Sequence, residues 1–219
     1  MLPKGLVTFP NIVSILVALA LLIIFMSVKK IKFTTDIIVK IGIAVALSAV
    51  LNQITLYKMP QGGSITPGSM VPIVIISIIY GPQVGMLTGF LMGVIDLLLG
   101  GYVVHPAQIL LDYPLAYMCI GLSGYIRPNL GKDAPSVIKI KLISGILIGF
   151  LARLSCHVTT GVIFFEEYAK GKNPFIYSLG YNFSFLSIEF LITAFILSGF
   201  PLKQILGKNN TKNALDNVK

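Results

Sequence analysis

The sequence is short of charge. Only 11% of its 219 residues are Asp, Glu, Lys or Arg, whereas a soluble domain carries about 25%, so there is too little polar surface to cover a globule in water. That excludes a soluble protein and implies an integral membrane protein, with length for six or seven spans of about 20 residues each. Cysteine is nearly absent: Cys119 and Cys156 each lie within an apolar run and form neither a CxxC pair nor a ligand cluster. They are read as packing residues, silent on redox compartment. There is no tryptophan, which makes intrinsic fluorescence a weak probe. Short catalytic signatures are missing as well. Without GxxxxGK[ST] the chain has no P-loop ATPase activity of its own, and without HExxH, GxSxG or metal-spaced Cys and His it carries no mark of an enzyme, a metal site or a cofactor. No inverted repeat of the kind found in many secondary transporters is evident.

What is present is a series of apolar runs: residues 11–28, 37–56, 70–80, 84–99, 107–125, 137–165 and 177–199. The run 70–80 is too short for a straight span and is expected to tilt, to be shielded by protein, or to borrow flanking residues. A net charge of +9 raises the question of nucleic acid, and the placement of the basic residues answers it. With the "KKIK" linker at 29–32 put in the cytoplasm, twelve of the 17 fall inside: Lys29, Lys30, Lys32, Lys40, Arg127, Lys132, Lys139, Lys141, Lys203, Lys208, Lys212 and Lys219. Lys4, Lys58, Lys170 and Lys172 fall outside, and Arg153 lies within a span. The excess is therefore an orientation signal, with the N-terminus out and the C-terminus in, and no nucleic-acid partner is expected. The first run lacks the preceding positive charges of a cleaved signal and is read as a retained anchor. The expected organisation is an extra N-terminal transmembrane anchor with basic linker (1–32), a membrane domain (33–206) and a polar cytoplasmic tail (207–219).

Polar groups inside the spans carry the functional information. Three of the eight acids, Asp96, Asp112 and Glu189, sit there, and an unpartnered acid at mid-bilayer costs about 2.5–3.5 kcal/mol on insertion scales. Asp112 lies about 8 Å into a segment entering from outside. Tyr113 follows it and Tyr102 stands ten residues earlier, so this carboxylate among phenols suits a cationic, aromatic ligand. The alternative is a carboxylate satisfied by Arg153 or by backbone donors. Arg153, His157, Gly161 and Phe165 recur every four residues and line one helix face, with Gly161 read as a gap where a ligand approaches. For His157 a core histidine bonded to a neighbour is the plainer reading, and His105 is expected to be solvated. In "YSLGYNFSF", Tyr177 and Asn182 are candidate ligand contacts; Tyr181 fits an interfacial aromatic belt. Glu189 is expected to be structural or to pair with Arg153. Asp96 has no role beyond solvation at the outer surface. Small residues in "KIGIAVALSAVL" (Gly42 with Ala46, Ala44 with Ser48) form either a partner-docking face or an internal packing face.

These motifs together resemble a known family. "GSMVPI", "YGPQVGMLTGFLMG", "HPAQILLDYPLAY", "CHVTTGVIFFEEYAKG" and "NPFIYSLGYN", in this order, are similar to the thiamine-specific substrate-binding subunits (S components) of energy-coupling-factor transporters, the ThiT or YuaJ family, over residues 37–200. The resemblance implies an all-α six-helix S-component bundle, here with one extra N-terminal transmembrane helix, in a bacterial cell membrane. It implies thiamine as ligand near the outer surface, with the acid on Asp112, Tyr113 beside it and Tyr102 before it. The basic residue and histidine fall on Arg153 and His157, the glycine on Gly161, the stacking aromatic on Phe165, and the last contacts on Tyr177 and Asn182. Where the family usually has Glu and Trp, this chain has Asp112 and Phe165. The face of Gly42, Ala44, Ala46 and Ser48 would dock a transmembrane coupling subunit, itself driven by two ATPase subunits. The loop 58–69 would be a lid over the site. Readings in other classes are a self-sufficient secondary transporter, an S component for another vitamin, or an assembly protein with a buried Asp112–Arg153 ion pair.

Overall fold

The computed structural model describes residues 33–129 and 131–199. The expected extra N-terminal helix and the polar tail lie outside the described residues. Within them the chain forms six helices: α1 (Thr35–Gln53), α2 (Val71–Tyr80), α3 (Pro82–Leu98), α4 (Pro106–Ile126), α5 (Pro135–Phe164) and α6 (Pro174–Gly199). Three of them, α1, α4 and α6, are long and apolar enough to cross a membrane. Between α1 and α2 runs a small antiparallel hairpin of β1 (Tyr57–Lys58) and β2 (Ser64–Ile65), with Tyr57 opposite Ile65.

Helix starts follow local chemistry. The Thr34 hydroxyl accepts the Ile37 N–H at 3.4 Å, and Asp36 in the first turn pairs with Lys40 at 2.7 Å. Proline near the first position opens α2, α3, α4 and α5, where its missing N–H has no helical partner to lose. Between α2 and α3 the chain reverses in one residue, Gly81, whose φ of +93° is open to glycine.

The apolar pattern separates lipid from core. Ile38, Ile43, Leu47 and Val50 of α1, Leu151 of α5 and Phe195 of α6 are exposed, as a chain solvated by hydrocarbon requires. Helix α2 is the exception. At ten residues it is about 15 Å long, half the hydrocarbon thickness, and it survives because nearly all of it is buried among the other helices and the loop below the hairpin. Shielding by protein, one of the three options for this short run, is thus met.

Glycines let α3 and α4 meet backbone to backbone. A Cβ on Gly89 would lie 2.2 Å from the Tyr117 carbonyl oxygen, one on Gly93 2.5 Å from that of Tyr113, and one on Gly121 2.2 Å from the Met86 nitrogen. The four-residue spacing of Gly85, Gly89 and Gly93 is the small-residue packing pattern of membrane helices. Cys119 and Cys156 pack between α4 and α5 as free thiols, their sulfurs 3.7 Å apart.

The small-residue face of α1 divides in two. Ala44 and Ser48 are buried, Ala44 against Ile76, Tyr80 and Val84, whereas Gly42 and Ala46 are exposed. Ala44 and Ser48 therefore serve internal packing, which corrects their expected place on a docking surface: their side of the helix is already covered by α2 and α3.

Candidate functional site

At the end of the bundle where the hairpin, the 99–105 loop and the 165–173 loop gather, the helices enclose a cavity of about 120 Å3. Each element contributes for a local reason. In α4, Pro114 has no N–H to donate, and the helix widens into a π turn over Leu111–Leu115 that carries Asp112 and Tyr113. In α5 the four-residue spacing of Arg153, His157 and Gly161 stacks them on the inward face, with Phe165 closing the helix end. In α6 Tyr177, Ser178, Tyr181, Asn182, Phe185 and Glu189 follow the same helical stripe.

Asp112 is held from two sides. Its Oδ1 is 2.9 Å from His157 Nδ1, and its Oδ2 accepts from Gln108 Nε2 at 2.9 Å. Arg153 Nε donates to His157 Nε2 at 3.3 Å. A guanidinium can only donate, so Nε2 must accept, and the imidazole proton then sits on Nδ1, facing Asp112. The histidine is thus a neutral bridge between a cation and a carboxylate, and Asp112 and Arg153 form no direct ion pair. Arg153 is 7% exposed; its Nη1 donates to the Met70 sulfur at 2.9 Å, and its guanidinium lies 4.1 Å from the centre of the Tyr117 ring.

All nine residues picked from the sequence line this one cavity: Tyr102, Asp112, Tyr113, Arg153, His157, Gly161, Phe165, Tyr177 and Asn182. Tyr102 and Phe165 stack at 6.1 Å by the mouth, and Tyr113 donates its hydroxyl to the Tyr102 carbonyl at 3.1 Å. Tyr177 reaches Gln61 of the hairpin at 3.5 Å. Asn182 gives its amide N–H groups to the Ser178 carbonyl at 2.9 Å, with the Ser178 hydroxyl at 3.2 Å and the His157 carbonyl at 3.4 Å.

Three expectations change, and for Glu189 the first of its two readings, a structural role, is the one seen. Gly161 is not an open gap: a Cβ there would fall 2.0 Å from Ser178 Oγ, so the glycine admits α6 rather than a ligand. His105 is not a solvated loop residue; its Nδ1 accepts the Ala107 N–H at 3.1 Å, capping α4, and its ring stacks on Phe164 at 4.8 Å. Glu189, read as structural or as a partner of Arg153, is structural: it accepts the Thr66 N–H. Asp96 faces inward, accepting from Asn52 Nδ2 at 2.5 Å and the Tyr117 hydroxyl at 2.8 Å.

Sequence reasoning also passed over Gln108, which is 1% exposed and ties three groups together: it donates to Asp112 and to the Tyr102 carbonyl at 3.0 Å and accepts the Val104 N–H at 3.1 Å. Its position one helical turn before Asp112 was the available signal. In formal charge the lining holds three carboxylates, Asp96, Asp112 and Glu189, against one guanidinium. Such a surface, walled by Tyr and Phe rings, is built for a flat cation rather than an anion.

Comparison with known proteins gives this geometry its context. Residues 38–207 match the model of the family described as thiamine transporter protein (Thia_YuaJ). The chain belongs to the thiamine transporter family. Among its relatives, the thiamine transporter ThiT of Bacillus subtilis (strain 168) is 38% identical over 168 residues, covering 73% of this chain and 87% of that protein. The ThiT of Lacticaseibacillus paracasei is 34% identical over 122 residues, covering 52% and 61%. The solved structure of ThiT from Listeria monocytogenes superposes with a TM-score of 0.68 at 28% identity, covering 82% of this chain and 97% of that one. Membership of the family fits a multi-pass membrane protein whose role is transport, not catalysis.

Proposed function

We propose that this chain is the high-affinity thiamine-binding subunit of an energy-coupling-factor importer in a bacterial cell membrane, capturing the vitamin at the outer face for ATP-driven uptake. One observation carries the reading. In a member of the thiamine transporter family, a carboxylate fixed by His157 and Gln108 stands in an aromatic cavity whose formal charge is negative. Thiamine is a permanent cation with two flat rings. Its thiazolium has no N–H and needs charge and π-faces, which Asp112 and the rings of Tyr102 and Phe165 offer; its aminopyrimidine has N–H donors and ring nitrogens, which suit carboxylate, phenol and amide groups. Tyr113, His157, Tyr177 and Asn182 wall and bond the rings, Arg153 holds His157 in its tautomer, and Gly161 sets the α5–α6 spacing behind them.

The cavity end faces outward in this reading, as the basic residues of the opposite loops suggest, and the hairpin 57–65 is the lid. The chain has no ATPase signature, so uptake needs a transmembrane coupling subunit and two ATPase subunits. The coupling subunit docks on the exposed strip of α1 around Gly42 and Ala46, where no side chain crowds the backbone.

Calorimetric titration of the detergent-purified protein with thiamine, riboflavin and biotin tests the reading. Saturable heat with thiamine alone is expected. Heat with riboflavin or biotin and none with thiamine would make this an S component for another vitamin.

A further inference from the structure

The hairpin over the cavity is fastened at two places of different character. Its base is built into the protein: Thr66 and Ser69 are buried, their hydroxyls are 2.7 Å apart, and the Thr66 N–H donates to the Glu189 carboxylate. Its tip is not. Tyr57, Lys58, Pro60 and Gly62 are exposed, and strands of two residues do not hold a hairpin by themselves.

Two backbone N–H groups of the tip meet a single oxygen, while the Gln61 side chain accepts the Tyr177 hydroxyl at 3.5 Å. The Tyr181 hydroxyl accepts the Gln61 N–H at 3.1 Å and the Gly63 N–H at 3.3 Å, two turn amides. Beside it Gly63 rests on the Phe185 ring so closely that a Cβ would fall 2.8 Å from a ring carbon. Phe185 stands one helical turn from Tyr181, edge to ring at 6.0 Å, and meets His157 edge-on at 6.2 Å. The seat of the hairpin and the His157–Asp112 pair therefore share one ring.

We propose that Tyr181 is the latch of this lid: by accepting both tip N–H groups it holds the hairpin closed over the cavity and sets the rate at which ligand enters and leaves. Tyr181 is a positioning residue in this role, acting on the lid and not on the ligand. The proposal rests on the reading of the cavity as a thiamine site only for its kinetic consequence; the latch itself is a property of the empty protein.

Tyr181→Phe removes the acceptor and keeps the ring, with its stacking on Tyr177 at 6.4 Å. In full-length, ligand-free protein in detergent, hydrogen exchange in the segment 59–64 should become about tenfold faster, the scale of losing two neutral hydrogen bonds. Thiamine association and dissociation should both accelerate about tenfold, so that Kd moves much less than either rate. Loss of an ordinary ligand contact would raise dissociation alone. Gly63→Ala, which pushes the tip off Phe185 while leaving Tyr181 intact, should reproduce the faster exchange. Exchange unchanged in Tyr181→Phe, or faster dissociation without faster association, overturns the latch. If the parent protein binds no thiamine, the ligand reading fails and the exchange measurement still decides the latch.

Discussion

Asp112 concentrates the residue-scale physics. A carboxylate fixed by two neutral donors keeps its charge available to a third, so the Asp112→Asn protein should bind thiamine about 100-fold more weakly in calorimetry, the scale of a charge-assisted interaction of ~3 kcal/mol. An unchanged affinity would remove the carboxylate from the centre of the site. Phe165 offers a smaller π-face than the Trp usual in the family. Phe165→Trp is expected to tighten thiamine several-fold, since Trp gives the strongest cation–π contact, measured in the same titration. The sequence made both positions legible because each breaks a rule: an acid in hydrocarbon, and an aromatic extending a polar helical stripe. Gln108 and Asp96 were illegible for the converse reason. Gln108 has meaning only through Tyr102, Val104 and Asp112 together, and Asp96 is placed by Asn52, 44 residues away.

At the scale of elements, glycine decides how near the helices come. Gly161 stands where Ser178 must pass, and Gly161→Ala should lower the unfolding temperature in detergent, with an overpacking cost of about 1–3 kcal/mol. The same substitution should weaken thiamine binding only as far as α6 shifts Asn182, so a loss of affinity without loss of stability would return Gly161 to the ligand contacts. Helix periodicity located α5 and α6 to within a few residues, since long apolar runs with a four-residue polar stripe leave little choice. It could not reveal the π turn at Leu111–Leu115, where a proline inside an apolar run reads equally as a kink or a helix end. Nor could it say which face of α1 is covered, because between Lys40 and Ser48 the helix is apolar all round and has no polar side to mark its orientation.

For the whole molecule the cavity joins five helices and a hairpin, so in the proposed reading binding and lid motion belong to this chain and energy to separate subunits. The protein alone in liposomes should bind thiamine without accumulating it, whatever ion gradient is imposed; accumulation of radiolabelled vitamin by the pure protein would end the case for separate coupling and ATPase subunits. The orientation proposed for it is equally testable, because protease added outside sealed, right-side-out vesicles should reach the hairpin 57–65 and spare the 127–134 loop.

Taken alone, the amino-acid sequence determined the class, the rough bounds of the six helices among the described residues, and the nine residues that meet at one cavity. Each of these follows from transfer free energy and helical period, which act on neighbours in the chain. Tertiary structure alone decided that Gly161 admits a helix, that Ala44 and Ser48 face inward, that Asp96 turns to Asn52 and Tyr117, and that Tyr181 grips the hairpin. Those outcomes depend on pairs of residues distant in sequence, for which neither hydropathy nor periodicity carries a signal.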